Sequence, residues 1–368
     1  MMKNNFRYTL FLLVFIFSAC VRNSTQSLPT PSVTIIPATR TPTNTPLPTA
    51  TQTMKEAIYP YTIDGLREHE FESGIIKIRE TLLETNNFTR YLIEYPSDGL
   101  TITGILQVPT VGEPPYPVIV MNHGFFSRTI FSSGDGTDRA AEFLNRRGYL
   151  TVSSDYRTWG DAETGESLFY SGLAIDVINL MNALPSVPEA DTDHIGMWGH
   201  SMGGGVTVKV LTLDSRIKAA VLYSSVSADF GDIIGRWGTG CLGDVFDGEN
   251  AFGCNSSDVI PVDLPNDLIE SYFKASTDSE MLKAVSPLYH VDLVTAPVQI
   301  AYGTKDGLTY AGTPPQWSIK MYDAFIEAGK DAEIFPQKDE GHSFIGDPWF
   351  VFMARSAQFF DKHVRPNP

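Results

Sequence analysis

The stretch Ile195-Gly196-Met197-Trp198-Gly199-His200-Ser201-Met202-Gly203-Gly204-Gly205-Val206 decides how this chain is read. An apolar run leads into Gly-His-Ser-Met-Gly, and glycines then lead into Val206-Thr207-Val208-Lys209-Val210. The pattern G-x-S-x-G between a strand and a helix marks a sharp turn that lifts a serine out of the end of a sheet. Such a turn forces Ser201 into a strained backbone conformation, so Gly199 and Gly203 on either side must lack bulk. The helix that follows points its positive end, and the N–H of Met202, at the place where an oxyanion would form. Ser201 is the candidate nucleophile and Met202 one candidate oxyanion donor.

Outward from this turn the chain alternates strand and helix. Val118-Ile119-Val120-Met121 reads as a buried strand, Asp138 to Arg147 as a helix closed by Gly148, and Tyr149 to Tyr156 as a strand. Ser167 to Leu184 has helical period, His194 to Trp198 is the strand into the turn, and Ile217 to Ser225 is the next strand. Further on come a strand at Val298 to Tyr302, a helix at Pro314 to Ala328, a strand at Ala332 to Phe335 and a helix at Pro348 to His363. Short apolar runs alternating with helices imply an α/β fold, a mostly parallel, doubly wound sheet covered on both faces. Ahead of it, Gly74 to Thr85 and Phe88 to Tyr95 flank Asn86-Asn87, and Leu100 to Val108 follows the turn Pro96-Ser97-Asp98-Gly99. Those runs predict an antiparallel start to the sheet. Val226 to Pro287 breaks the rhythm with Gly, Asp and bulky aromatics, which predicts an inserted cap. Its Trp237 and Phe230 are candidates for lining an apolar substrate pocket.

A serine hydroxyl becomes a useful nucleophile only when a base takes its proton. His342 lies in the glycine-flanked Glu340-Gly341-His342-Ser343 loop after the last strand, from which an imidazole can reach the turn. Asp306 sits just past a strand end, where α/β sheets place their working groups. It is the candidate acid, with Asp339 as second choice. The second oxyanion donor is expected in the loop after the first parallel strand, at the N–H of Phe125 in His123-Gly124-Phe125. His123 reads as a structural hydrogen-bonder.

The bulk numbers exclude several classes. The 368 residues carry 27 Lys+Arg against 43 Asp+Glu, a net charge of −16, without a basic stripe for nucleic acid. Three cysteines leave no set with metal-ligand spacing, and no metal or cofactor is expected. Met1 to Ala19 reads as an export leader, with Lys3 and Arg7 before an apolar run from Leu10 to Phe17. Phe17-Ser18-Ala19-Cys20 resembles a bacterial lipobox, making Cys20 a candidate for lipidation and membrane anchoring. Residues 20–54 are Thr/Pro-rich and read as a disordered spacer before a folded part over 55–368. With Cys20 lipidated, Cys241 and Cys254 are the remaining pair, expected to be oxidised outside the cytoplasm.

From roughly Tyr91 to Val364 the chain resembles the α/β-hydrolase superfamily, closest to prolyl-oligopeptidase-type catalytic domains and dienelactone hydrolases. The resemblance rests on Tyr95 to Gly104, Tyr116 to Gly124, Arg147-Gly148-Tyr149, Gly199-His200-Ser201-Met202-Gly203-Gly204 and Gly341-His342-Ser343-Phe344. It implies a serine hydrolase acting on small peptide or ester substrates. Acid and then base follow the serine along such chains, the order found in Ser201, Asp306 and His342. Prolyl oligopeptidases carry a β-propeller ahead of this domain, whereas only a short folded segment from Lys55 precedes Tyr95 here. That departure favours an esterase. The Gly-His-Ser-Met-Gly-Gly-Gly run is also similar to cutinase-type polyester hydrolases.

Overall fold

Thr53 caps the first helix, α1 (Met54–Ile58), by accepting the Glu56 N–H while the Glu56 carboxylate reaches back to the Thr53 N–H. Helix therefore begins one residue before Lys55. The computed structural model describes residues 52–242 and 254–365, so the leader over 1–19, Cys20 and nearly all of the 20–54 spacer lie outside the described residues. A 3-10 turn at Tyr59–Tyr61 leads into α2 (Ile63–Arg67). Ile58, Ile63 and Leu66 are fully buried, so this helical entry is held by packing. Pieces this short carry little helical preference of their own, so no periodic pattern marks them in the sequence.

Strands β1 (Lys77–Glu84), β2 (Phe88–Ser97) and β3 (Leu100–Pro109) form the antiparallel start. Asp98 and Gly99 between β2 and β3 both have left-handed φ, 51° and 77°, as a two-residue hairpin requires. The chain then builds β4 (Tyr116–Asn122), α3 (Asp138–Asn145), β5 (Leu150–Ser154), α4 (Ser171–Ala183), β6 (Ala190–His200), α5 (Met202–Leu213) and β7 (Ile217–Tyr223). Along β4 the side chains divide by period two. Val118 and Val120 pack with α4 and α5, while Ile119 and Met121 pack with α3 on the other face. Both faces are buried, hence the uninterrupted apolar run. The segment Leu168–Ser186, which contains α4, is apolar enough to span a membrane by length and composition, but 89% of it is buried inside the fold. It is a core helix.

The expected cap emerges between β7 and the next sheet strand. It comprises α6 (Phe230–Trp237), β8 (Gly240–Leu242), β9 (Asn255–Ile260), α7 (Asn266–Ala275) and α8 (Ser279–Val285), followed by a 3-10 segment at Pro287–Leu293. β8 and β9 pair in parallel, and a Cys241–Cys254 disulfide ties them together. The sheet then resumes with β10 (Val298–Gly303), crosses through α9 (Pro315–Glu327) to β11 (Ala332–Gln337), and ends in α10 (Asp347–His363). Strand order is β1-β2-β3-β5-β4-β6-β7-β10-β11, with every pair from β5 to β11 parallel. Helices α4, α5 and α9 cover one face, and α3 and α10 the other.

Candidate active site

Ser201 stands between β6 and α5 with φ 55° and ψ −120°, a conformation that side chains avoid unless the surroundings impose it. Two neighbours impose it: the Ser201 N–H donates to Tyr223 O at 2.9 Å, and Ser201 O accepts the Val226 N–H at 3.0 Å. The flanking glycines are required by contact. A Cβ on Gly199 would lie 2.3 Å from Gly203 O, and one on Gly203 would lie 2.1 Å from Asn122 O. Strand, turn and helix thus cross too closely for any side chain at these positions.

His342 follows β11 on a loop stitched to β10. Lys305 N–H donates to Glu340 O at 2.9 Å, and a Cβ on Gly303 would strike Gly341 O at 2.2 Å. Two residues on, the Phe344 ring packs 4.7 Å from Tyr223, and its N–H donates to the Tyr223 hydroxyl. With the loop fixed from both sides, His342 Nε2 lies 2.9 Å from Ser201 Oγ. His342 Nδ1 lies 3.0 Å from Asp306 Oδ2 and 3.2 Å from Oδ1. The structure therefore brings the three side chains into one hydrogen-bonded line, with Nδ1–H on the carboxylate and the Nε2 lone pair on the hydroxyl.

Asp306 is 4% exposed. Its Oδ1 accepts the N–H groups of Gly307 at 2.7 Å and Thr313 at 2.9 Å, and the Thr313 hydroxyl lies 2.7 Å from Oδ2. Burial pushes this carboxyl up, but the His342 ring, Thr313 and the Gly307 N–H outweigh it and hold it below the ordinary carboxylate range. Thr313 was not anticipated, because nothing in Thr313-Pro314-Pro315 distinguishes it from a helix-leading turn. Asp339, the second choice for the acid, is an exposed residue that pairs with Lys305 at 3.1 Å. His200, beside Ser201, donates from Nε2 to His342 O at 3.1 Å and stacks on Tyr223 at 4.5 Å. Burial and then the neighbouring His342 depress its pKa to about 3, so it stays neutral beside the second imidazole.

Phe125 and Met202 both border the space in front of Ser201. Among the described residues neither backbone N–H has another backbone partner. Gly124 lets this loop approach, since a Cβ there would lie 3.1 Å from Ser201 Cβ. His123 is buried, with Nδ1 2.7 Å from Gly124 O and Nε2 3.1 Å from Asp155 O. Burial lowers its pKa, and its ring lies between Phe131 and Tyr156.

A cavity of about 190 Å³ opens at Ser201. Phe125, Met202, Trp237, Tyr170 and Tyr310 supply much of its wall, and Cys254 with the start of β9 supplies another side. Trp237 lines it as expected from the sequence. Phe230 does not: it is 3% exposed and packs edge-on against Phe169 and Tyr170 at 5.5 and 5.1 Å, where the cap meets the segment leading into α4. Arg236 turns the other way, donating to Gly307 O at 3.2 Å and Thr309 O at 2.6 Å, while Trp237 Nε1 donates to Tyr310 O at 2.8 Å. The cap is thereby fastened to the loop that carries Asp306.

The Tyr170 wall is itself strained. Phe169 and Tyr170 have consecutive left-handed φ values of 53° and 59°. Buried Asp258 on β9 holds them by accepting both N–H groups, at 2.8 and 3.1 Å. Lys209 on α5 is fully buried and donates from Nζ to Phe169 O at 2.5 Å. Burial lowers the Lys209 pKa to about 7 and raises that of Asp258 to about 6. Among the described residues no group of three His, Cys, Asp or Glu side chains is placed to hold a metal ion.

Sheet order, strained serine turn and covering helices define the α/β-hydrolase fold, and the chain is a serine hydrolase of peptidase or esterase type. Residues 133–235 match the acetyl xylan esterase (AXE1) family. Over 302 residues the chain is 25% identical to the uncharacterized peptidase YuxL of Bacillus subtilis, covering 78% of this chain and 40% of that one. Acylaminoacyl peptidase from Pyrococcus horikoshii superposes with a TM-score of 0.57 at 20% identity, over 77% of this chain and 43% of its own. Acetyl xylan esterase 1 from Thermoanaerobacterium sp. superposes at 0.53 with 17% identity, over 83% and 93%. The two structural likenesses speak to the fold, and the chain spans less than half the length of either peptidase.

Proposed function

We propose that this chain is an exported carboxylic ester hydrolase that forms an acyl-enzyme on Ser201. His342 Nε2 takes the proton as Ser201 Oγ attacks the ester carbonyl. Asp306 fixes the Nδ1–H tautomer and stabilises the imidazolium. The N–H groups of Phe125 and Met202 receive the charge that develops on the carbonyl oxygen, a contribution of several kcal/mol to the barrier. His342 then returns the proton to the departing alkoxide, and a water molecule, activated by the same imidazole, releases the acid.

The observation that carries this reading is the unbroken line Asp306–His342–Ser201, with distances of 3.0 and 2.9 Å, ending at a cavity. Ester cleavage is favoured over peptide cleavage because residues 133–235 match an acetyl xylan esterase family. The leader and lipobox support export and tethering through Cys20, and the disulfide suits an oxidising compartment.

A fluorophosphonate probe tests the nucleophile. It labels the wild type and leaves Ser201→Ala unlabelled, and ester turnover falls by on the order of 10⁴-fold or more in Ser201→Ala and His342→Ala. Labelling elsewhere, or none, would leave a binding protein on a hydrolase fold. Intact-mass analysis of the mature protein checks the anchor: an unmodified Cys20 removes it.

A further inference from the structure

Tyr170 is the part of the cavity wall that leans on the helix following Ser201. A Cβ on Gly205 would lie 3.3 Å from the Tyr170 ring, so the ring is seated on α5. The backbone beneath it is left-handed at two successive residues, Phe169 and Tyr170, a conformation that bulky side chains hold only under outside constraint. The constraint comes from two elements. Lys209 on α5 donates to Phe169 O, and β9 of the cap accepts both N–H groups through Asp258.

We infer that Asp258 is a positioning residue that sets the size of the substrate group the cavity accepts, by fixing Tyr170 as its wall. This rests on the ester-hydrolase reading above. Strand β9 grips Tyr170 at both ends. Asp258 Oδ1 accepts its N–H at 3.1 Å, and Asn255 and Ser257 hydrogen-bond its hydroxyl. The place of the ring is therefore the place of β9.

The donor count explains why the residue is an aspartate. The Phe169 N–H and the Tyr272 hydroxyl each donate to Oδ2 at 2.8 Å, and the Tyr170 N–H donates to Oδ1. Three donors need two accepting oxygens, which an ionised carboxylate supplies. A carboxamide of the same shape turns an NH2 group toward at least one of them. Tyr272 lies on α7, and its hydroxyl oxygen accepts the Gly240 N–H of β8 at 3.0 Å. One carboxylate thus joins three cap elements to the segment ahead of α4. With its N–H groups released, the left-handed pair relaxes, the ring leaves the wall, and a longer substrate group fits.

The test measures kcat/KM for long and short members of two ester series, p-nitrophenyl hexanoate against p-nitrophenyl acetate and hexyl acetate against methyl acetate. Tyr170→Ala should raise the long-to-short ratio about tenfold in the series whose varied group fills the cavity. Asp258→Asn should raise it by about as much in the same series, through the KM of the long ester, and the double variant should do no more than either alone. Tyr272→Phe leaves both N–H bonds to the carboxylate, so it should lower stability and leave the ratio unchanged. A merely structural Asp258 would lower all the activities with the folded fraction and move no ratio. Where Asp258→Asn does not fold, Asp258→Glu, which keeps both acceptors but shifts them by a methylene, takes its place with the same rise expected. A ratio unmoved by the Asp258 or Tyr170 variant, effects that multiply in the double variant, or an equal shift in Tyr272→Phe overturns the inference and leaves the ester-hydrolase reading standing. A wild type that hydrolyses none of these esters and takes no fluorophosphonate at Ser201 overturns both.

Discussion

Replacing Thr313 with Val removes one hydroxyl from the site while nearly keeping the side chain's shape. That hydroxyl lies 2.7 Å from Asp306 Oδ2 and 3.0 Å from Ser224 O, and with one proton it serves the two acceptors in turn. Thr313 and Asp306 are 3% and 4% exposed, so water is poorly placed to substitute. A hydrogen bond to a charged group contributes about 1.5–3 kcal/mol. The carboxylate keeps His342 and two backbone donors, so the lower half of that range applies, and Thr313→Val should lose about 2 kcal/mol of stability. The sign with pH follows from the depressed Asp306 pKa. Stability from this group is present above the unfolded-state carboxyl pKa and is lost as pH falls through the folded-state value. Removing the hydroxyl narrows that interval, so the variant's acid unfolding begins at a higher pH. The carboxylate still faces Nδ1 but with one restraint fewer, and kcat should fall about tenfold with little change in KM. Urea unfolding between about pH 2 and pH 7, which brackets the carboxylate range and the region below it, together with steady-state hydrolysis of p-nitrophenyl acetate, measures both effects. Thr313→Ser should recover most of each. A Val variant with wild-type stability and kcat would refute the claim that this hydroxyl orients the acid.

Two further outcomes follow from close contacts and buried charge. Gly124→Ala places a methyl 3.1 Å from Ser201 Cβ and 3.4 Å from His200 Nδ1, so the loop must retreat and carry the Phe125 N–H with it. A kcat about 10²-fold lower is expected, and unchanged kinetics would remove Phe125 from the oxyanion site. Lys209→Met replaces a buried amine whose pKa has dropped from 10.5 to about 7, a displacement of about 5 kcal/mol at about 1.4 kcal/mol per pH unit. Between those two values the unfolded chain binds a proton that the folded chain lacks, so the wild type gains stability from this residue as pH rises. The Met variant should be the more stable protein near pH 6 and show a flatter stability profile above pH 7; a variant less stable near pH 6 contradicts this.

Local pattern carried the layout of the candidate site. The glycines about Ser201 are demanded by backbone crossings within a few residues, and so they stand out in the string. His342 and Asp306 sit just beyond strand ends, where the alternation of apolar runs exposes them. What escaped notice depends on partners far apart along the chain. Thr313 meets Ser224 O at a separation of 89 residues, and Asp258 reaches the Phe169 N–H across the same distance. Such groups look like ordinary turn or strand residues until the sheet closes. Phe230 differs from the expectation for a related reason: an aromatic in a cap can face the cavity or the domain beneath, and helix α6 turns this one onto Phe169 and Tyr170 while presenting Trp237 to the cavity. Helices α1 and α2 were missed because their stability comes from burying Ile58, Ile63 and Leu66.

The bonds from Arg236 and Trp237 to Gly307, Thr309 and Tyr310 join the cavity wall to the loop that carries Asp306, a mechanical route from the pocket to the proposed proton relay. Whatever presses on the indole also pulls on the loop that begins at Asp306. On the proposed mechanism, affinity gained in the pocket is convertible into alignment of His342 with Asp306, so shortened substrates should lose turnover as well as grip.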